Sequence, residues 1–292
     1  MIQKKEICVY IIDVSSIFSR LYKALTKNGE PNGKNDIYNG VPIFALRPVL
    51  NLIEKEIKNA SNYCQEYTHI AMVFDFPAKT FRHEIYPNYK KDRKPKTPAE
   101  IKQMELTFKM LQTQGYFTIT KAGVEADDVI GAISKKLTLS KVKHIIFSGD
   151  KDMACLINDY AKQYSGRADM FIDAQAVKSK YGVTPDKMTD LLTIIGDTSD
   201  SVSGVPGAGK KNAAKLLENH TLDELLKKPT LIDEIKLTNK EKIKKHFTTN
   251  ADEILASREV IELYTNMKLN INLNDMLKKD PADEYFLDLI TK

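Results

Sequence analysis

The stretch VEADDVIGAIS, residues 124–134, sets Glu125, Asp127 and Asp128 within four positions, directly ahead of an apolar, helix-spaced run. Two readings compete for these three charges. Acidic residues favour the first turn of a helix, where free N–H groups and the macrodipole offer partial positive charge. Carboxylates gathered at one place are also the natural ligands of a hard divalent cation. Other acidic residues tilt the choice. Asp13, Asp75 and Asp150 each end a short apolar run (EICVYIID, THIAMVFD and KHIIFSGD), Asp152 follows in SGDKD, and Asp197 and Asp200 lie in GDTSD. Two carboxylates about 4 Å apart repel by on the order of 4 kcal/mol at an effective dielectric of about 20. A rim of six or more would therefore raise its pKa values or splay apart unless cations neutralised it. The pattern is read as a metal site for Mg²⁺, with Mn²⁺ as a substitute.

The elements that must position these groups follow from periodicity. The three runs above, together with GYFTIT, are short and rich in β-branched or aromatic residues, as buried strands are. Amphipathic stretches near 42–60, 99–114 and 126–137 separate them. Strands alternating with helices predict an α/β domain with a mostly parallel sheet, over residues 1–172. From 173 to 292 the pattern is helical, with segments at 185–196, 210–218, 239–247 and 251–262. Two long loops are expected, at 27–41 and 76–98. In open α/β sheets, ligands bind in the crevice outside the carboxyl ends of the strands, where Asp13, Asp75 and Asp150 would lie.

A second feature is GVPGAGKKNAAKLL, which begins at Gly204. Gly204 to Lys210 fits the start of a phosphate-binding P-loop, but Lys211 stands where a Ser or Thr should bind Mg²⁺, and no apolar strand precedes it. The setting is helix–turn–helix. There Gly204, Gly207 and Gly209 let backbone N–H groups approach a phosphate at a helix N-terminus, and Lys210, Lys211 and Lys215 add charge. The reading is a sequence-blind DNA backbone clamp over about 185–218.

Charge and composition agree with that partner. The net charge is +5, and the segment Lys79–Lys102 alone holds eight basic against three acidic residues. A basic patch containing aromatics points to a polyanion, with a solvated loop as the alternative. Cys8, Cys64 and Cys155 are scattered and fit reduced thiols rather than a zinc site. No apolar run approaches the roughly 18 residues that span a bilayer, and the N-terminal MIQKKEICVYIID fits a strand better than a signal peptide.

Taken together, Asp13 with Arg20, FDFPAKTFRHEIYPNYKKDR, VEADDVIG, SGDKDM, YGVTPDKM and GDTSD…GVPGAGKKNAAKLL resemble, in order, the bacterial-type 5′ nucleases. This family comprises the 5′→3′ exonuclease domain of DNA polymerase I and its stand-alone flap-endonuclease relatives. The resemblance covers nearly the whole chain. It implies a PIN-like α/β fold with a helix–three-turn–helix element and a helical arch or clamp over the site. It also implies two-metal hydrolysis of DNA at 5′ ends and 5′ flaps in replication and repair, with RNA-primed DNA among the substrates. Carried over by position, Asp13, Asp75, Glu125, Asp127 and Asp150 form one metal region, and Asp128, Asp152, Asp197 and Asp200 the second. Lys90 and Arg93 match contacts to the scissile phosphate, Arg82 would steer phosphate, and Tyr89 would stack on a terminal base. Tyr22 and Tyr86 are read either as base-stacking or as core aromatics, and Arg20 as a DNA contact. The resemblance further implies K⁺ in the glycine turn. Val14 replaces the family's usual Gly, and Ser201 and Ser203 replace the usual Asn and Pro. A monomer is expected, the nuclease alone, in a bacterial cytoplasm near the nucleoid or in an organelle matrix. The alternatives are a PIN-type ribonuclease and a catalytically silent binder of DNA structures.

Overall fold

The computed structural model describes residues 7–27, 30–31, 37–38, 40–61 and 67–282; Cys64 and most of the expected 27–41 loop lie outside these. The first strand explains the architecture. In β1 (Cys8–Asp13) every residue is buried, so both faces of the strand must be covered. Its side chains alternate accordingly. Cys8, Tyr10 and Ile12 join one core with residues of α1 (Val14–Leu25), α2 (Leu46–Ser61) and α4 (Pro98–Thr113). Val9 and Ile11 join another with Val129, Ile130, Ile133 and Leu137 of α5 (Ala126–Leu139). The result is a three-layer α/β arrangement.

Five parallel strands make most of the sheet: β1, β2 (His69–Val73), β3 (Phe117–Ile119), β4 (Lys143–Phe147) and β5 (Ala161–Ser165). An edge strand, β6 (Met170–Ile172), runs antiparallel to β5. The order across the sheet is β6-β5-β4-β1-β2-β3. From β1 the chain builds outward through β2 and β3, then returns to lay β4 on the other side of β1. The topological switch point therefore lies between β1 and β4, and Asp13 and Asp150 stand at its carboxyl edge. Strands β5 and β6 are absent from the expectation, because KQYSG and DMFID carry too many polar residues to read as buried strands.

The helical half has its own core, drawn from α6 (Ala174–Tyr181), α7 (Met188–Ile195), α8 (Lys210–Asn219), α9 (Leu222–Lys227), α10 (Lys240–Thr249) and α11 (Ala251–Ile261). Among the described residues no helix is long and apolar enough to cross a membrane. The expected long loop at 76–98 is partly folded, with α3 at Phe81–Ile85 and turns after it.

One close approach fixes how the second acidic group leaves α7. Gly196 ends that helix at φ +77°, and a Cβ there would meet the Gly204 nitrogen at 2.4 Å. Conversely, a Cβ on Gly204 would lie 2.3 Å from the Ile195 carbonyl carbon. The two glycines let the turn close on itself, with Val205 N–H donating to the Ile194 carbonyl (2.8 Å). Gly204→Ala is expected to lower stability by roughly 2 kcal/mol or more, through backbone displacement, as read by urea denaturation.

Candidate metal and nucleic-acid site

Asp13 ends β1 and caps α1, its Oδ1 accepting from Ser16 N–H (2.9 Å) and its Oδ2 from the Ser148 hydroxyl (2.9 Å). Ser148 also receives the Asp150 N–H (3.1 Å), so one hydroxyl joins two acidic residues from adjacent strands. Asp75 follows β2, with its N–H on the Ser15 hydroxyl (2.8 Å) and its Oδ1 accepting from Ala126 N–H (2.9 Å). That last bond brings the start of α5, and hence Glu125 and Asp127, to the same edge. Gln163 of β5 donates its amide to the carbonyls of Ser148 (2.8 Å) and Asp150 (2.6 Å), holding the SGDKD loop in place. Sequence reasoning missed Ser15, Ser148 and Gln163. Only Ser148, inside the SGD motif, carried a signal.

Electrostatics record the crowding. Burial pushes the Asp13 carboxyl up to about 7, helped by the charges of Asp75 and Asp150. Asp127 is raised well above the usual carboxylate range by burial and by Asp13, Asp150, Asp75 and Glu125. Asp152 rises to about 7 through burial and the charges of Asp150, Asp197 and Asp200, and its Oδ1 is buried without a protein partner. Asp197 goes the other way. Burial would raise it, but the Lys151 ammonium (2.6 Å) and Ser199 donors outweigh that and hold it low. Glu125, Asp127, Asp152, Asp197 and Asp200 line one narrow cleft of about 20 Å³.

Cations of the chain already answer part of this charge. Lys90 places its Nζ 2.5 Å from Glu125 Oε1 and 3.8 Å from Asp200 Oδ2, and Arg93 pairs with Asp200. Among the described residues no three His, Cys, Asp or Glu side chains stand together in a group that could hold a metal ion as they are placed. The donor set still fits a hard cation: all oxygen, with raised pKa values and an orphaned buried carboxylate oxygen on Asp152.

Three expectations are corrected, for Asp128, Arg82 and Tyr89, and the alternative left open for Tyr22 is settled. Asp128 does not face the cleft. It is fully buried and grips Arg82 bidentately at 2.6 and 2.7 Å, while accepting the N–H groups of Glu125 and Tyr264. Arg82, 2% exposed, cannot reach a phosphate, because a guanidinium out of water is held by its carboxylate partner. Tyr89 offers no stacking face. It is buried against Val202 and Val260, with its hydroxyl 2.9 Å from Glu125 and 3.0 Å from Asp200. Tyr22 is a core residue, stacked on Phe18 and packed against Phe44. Arg82 and Tyr89 leave the expected 76–98 loop for the interior for one reason. Both bury their polar atoms against carboxylates supplied from distant parts of the chain.

The remaining residues sit as follows. Arg20 is half-exposed and paired with Glu56 (2.9 Å). At α8, Gly209 is the N-cap in open space, Gly207 takes φ +88° against Asn239, and Gly204 serves the packing described above. Lys210 lies over the Tyr181 ring, Lys211 is exposed, and Lys215 donates to the Lys236 carbonyl (3.1 Å).

A pH signature follows. Carboxylates raised on folding destabilise the metal-free protein as pH climbs from about 4 to about 7, because the folded state binds more protons over that window. In EDTA the Tm is expected to fall across this range from their contribution. Adding Mg²⁺ should raise Tm more at pH 8 than at pH 5, and Asp127→Asn should raise the EDTA Tm at pH 8. Differential scanning calorimetry reads all three.

Residues 8–182 match the family model described as 5′-3′ exonuclease, N-terminal resolvase-like domain, and residues 183–284 that of 5′-3′ exonuclease, C-terminal SAM fold. A 5′-3′ exonuclease of Buchnera aphidicola subsp. Baizongia pistaciae is 32% identical, covering 97% of this chain and 90% of that protein. DNA polymerase I of Rhizobium leguminosarum is 32% identical over 96% of this chain, which spans only 27% of the polymerase. The crystal structure of a bacteriophage T5 flap endonuclease in a pseudo-enzyme-product complex with DNA and metal ions shares the fold. Its TM-score is 0.66 at 19% identity, with 98% of this chain and 100% of that one covered. On both halves, then, the chain belongs to the 5′-3′ exonuclease family.

Proposed function

We propose that this chain is a structure-specific 5′ nuclease that hydrolyses DNA phosphodiesters at 5′ ends and 5′ flaps with divalent cations. The observation that carries the reading is the cleft where carboxylates of the α/β half and of the helical half meet beside Lys90 and Arg93. Asp13, Asp75, Glu125, Asp127 and Asp150 would hold one ion, and Asp152, Asp197 and Asp200 a second. When bound, two Mg²⁺ ions supply Lewis-acid stabilisation of charge on the phosphate and make an attacking water more acidic.

The chain's own residues do the rest. Lys90 and Arg93, now paired with Glu125 and Asp200, are the cations next to the carboxylates, so a phosphate seated there meets them as it gains charge. Ser148 and Ser16 hold the Asp13 oxygens, and Ala126 N–H holds Asp75, which fixes the oxygen donors before substrate arrives. The open N-terminus of α8, with exposed Lys211, grips duplex phosphates without reading sequence. Residues 1–172 thus carry the first acidic group and Asp152 of the second, and 173–292 supply Asp197, Asp200 and the duplex grip.

The test uses 5′-labelled flap, nicked and blunt DNAs in Mg²⁺. Wild type should cut the flap and the 5′ end next to a duplex, and Asp150→Asn should slow cleavage at least roughly a hundredfold. Asp150→Asn cutting as fast as wild type would refute the ligand assignment. Lys211→Ala should weaken binding about equally on unrelated sequences and reduce the salt slope of log K by about one, as read by fluorescence anisotropy.

A further inference from the structure

The buried pair Arg82–Asp128 lies outside the roles given so far, and its contacts reach further than an ion pair needs. Arg82, on α3, donates through Nε to the Val260 carbonyl (2.6 Å) and through an Nη to the Glu262 carbonyl (3.0 Å). Asp128, on α5, accepts the Tyr264 N–H (2.8 Å) and the Glu125 N–H (3.0 Å). Three segments distant in sequence thus meet on two side chains: the basic segment, the acidic helix start and the chain leaving α11. The link continues from Val260, whose side chain packs on Val202 and Tyr89. Val202 in turn exchanges both backbone hydrogen bonds with Asp197 (2.8 and 2.9 Å). Glu125, of the first acidic group, and Asp197, of the second, are therefore joined through one short chain of bonded and packed groups.

We infer that Arg82 and Asp128 are positioning residues that set the spacing between the two acidic groups, and so the spacing of the two cations held there. The inference rests on the nuclease reading for its kinetic consequence, and on geometry alone for its effect on ion binding. A guanidinium–carboxylate fork suits the task because its two parallel bonds fix orientation as well as distance. Partner carbonyls and N–H groups take up Nε and the second Nη2 hydrogen of Arg82 and the other lone pairs of Asp128, while Arg82 Nη1 lies 3.9 Å from Glu125 Oε2, so the fork is held against the wall of the cleft.

The test variant is Asp128→Asn, which keeps size and removes the charge that Arg82 answers. Single-turnover flap cleavage in saturating Mg²⁺, per folded molecule, is expected to slow at least tenfold, with flap Kd in Ca²⁺ within twofold of wild type. Mn²⁺ titration followed by EPR should find the same number of bound ions, with the weaker one bound several-fold less tightly. Arg82→Gln with Asp128→Asn should lose no more than the worse single variant, since the pair acts as one unit. A lower Tm with an unchanged rate and unchanged Mn²⁺ binding would reduce the pair to a structural role and overturn the inference. Loss of one bound Mn²⁺ at unchanged Tm would make Asp128 a ligand and overturn it equally. If Asp128→Asn does not fold, Arg82→Lys keeps the charge without the fork and is read by the same measurements, with a smaller rate loss expected. Failure of wild type to cut any 5′ flap would sink the nuclease reading instead, and the Mn²⁺ affinities would still decide this one.

Discussion

Like charges held together against their own repulsion are the constraint on which this molecule is organised. Carboxylates converge where β1, β2, β4, the start of α5 and the turn after α7 meet, and burial first, then the neighbouring charges, raises the carboxyls of Asp13, Asp127 and Asp152. Each device around them answers that crowding in a different way. Ser16, Ser148 and Ala126 N–H solvate individual oxygens, Lys151 neutralises Asp197, and Lys90 and Arg93 neutralise Glu125 and Asp200. The parallel sheet makes the convergence possible. Its switch point sends β2 and β4 to opposite sides of β1 with their carboxyl ends at one edge.

Much of this was legible from residues alone. Strands β1 to β4 lie in short, largely apolar runs, and every one of those runs that ends in aspartate lies where that ending suggested, whereas the polar residues of β5 and β6 hid them. The helices after residue 185 kept their periodicity, because their core is built locally from neighbouring amphipathic turns. What failed was the fate of polar side chains with long-range partners. Arg82 is 46 positions from Asp128 and 178 from the carbonyl of Val260. No local pattern announces that a basic residue in a lysine-rich stretch will be enclosed, since enclosure depends on which distant acceptors arrive. Tyr89 repeats the lesson, with Glu125 and Asp200 reached across 36 and 111 positions.

The two aspartates of VEADD are thus adjacent in sequence and opposite in employment. One helical step turns Asp127 toward the other carboxylates and Asp128 into the protein, against Arg82. The helix-start reading of the acidic cluster holds. Asp128 caps the helix start, accepting the Glu125 N–H, while Glu125 and Asp127 face the cleft.

Gln163 gives the outer sheet an influence that its distance from β1 hides. Its one amide grips two carbonyls of the loop that carries Asp150, and it sits on the strand that pairs with the antiparallel edge. The hairpin is therefore linked to the acidic loop by hydrogen bonds as well as by the apolar layers. Gln163, opposite Ile172 in that hairpin, is thus a hydrogen-bonded joint between the edge of the sheet and the loop of Asp150.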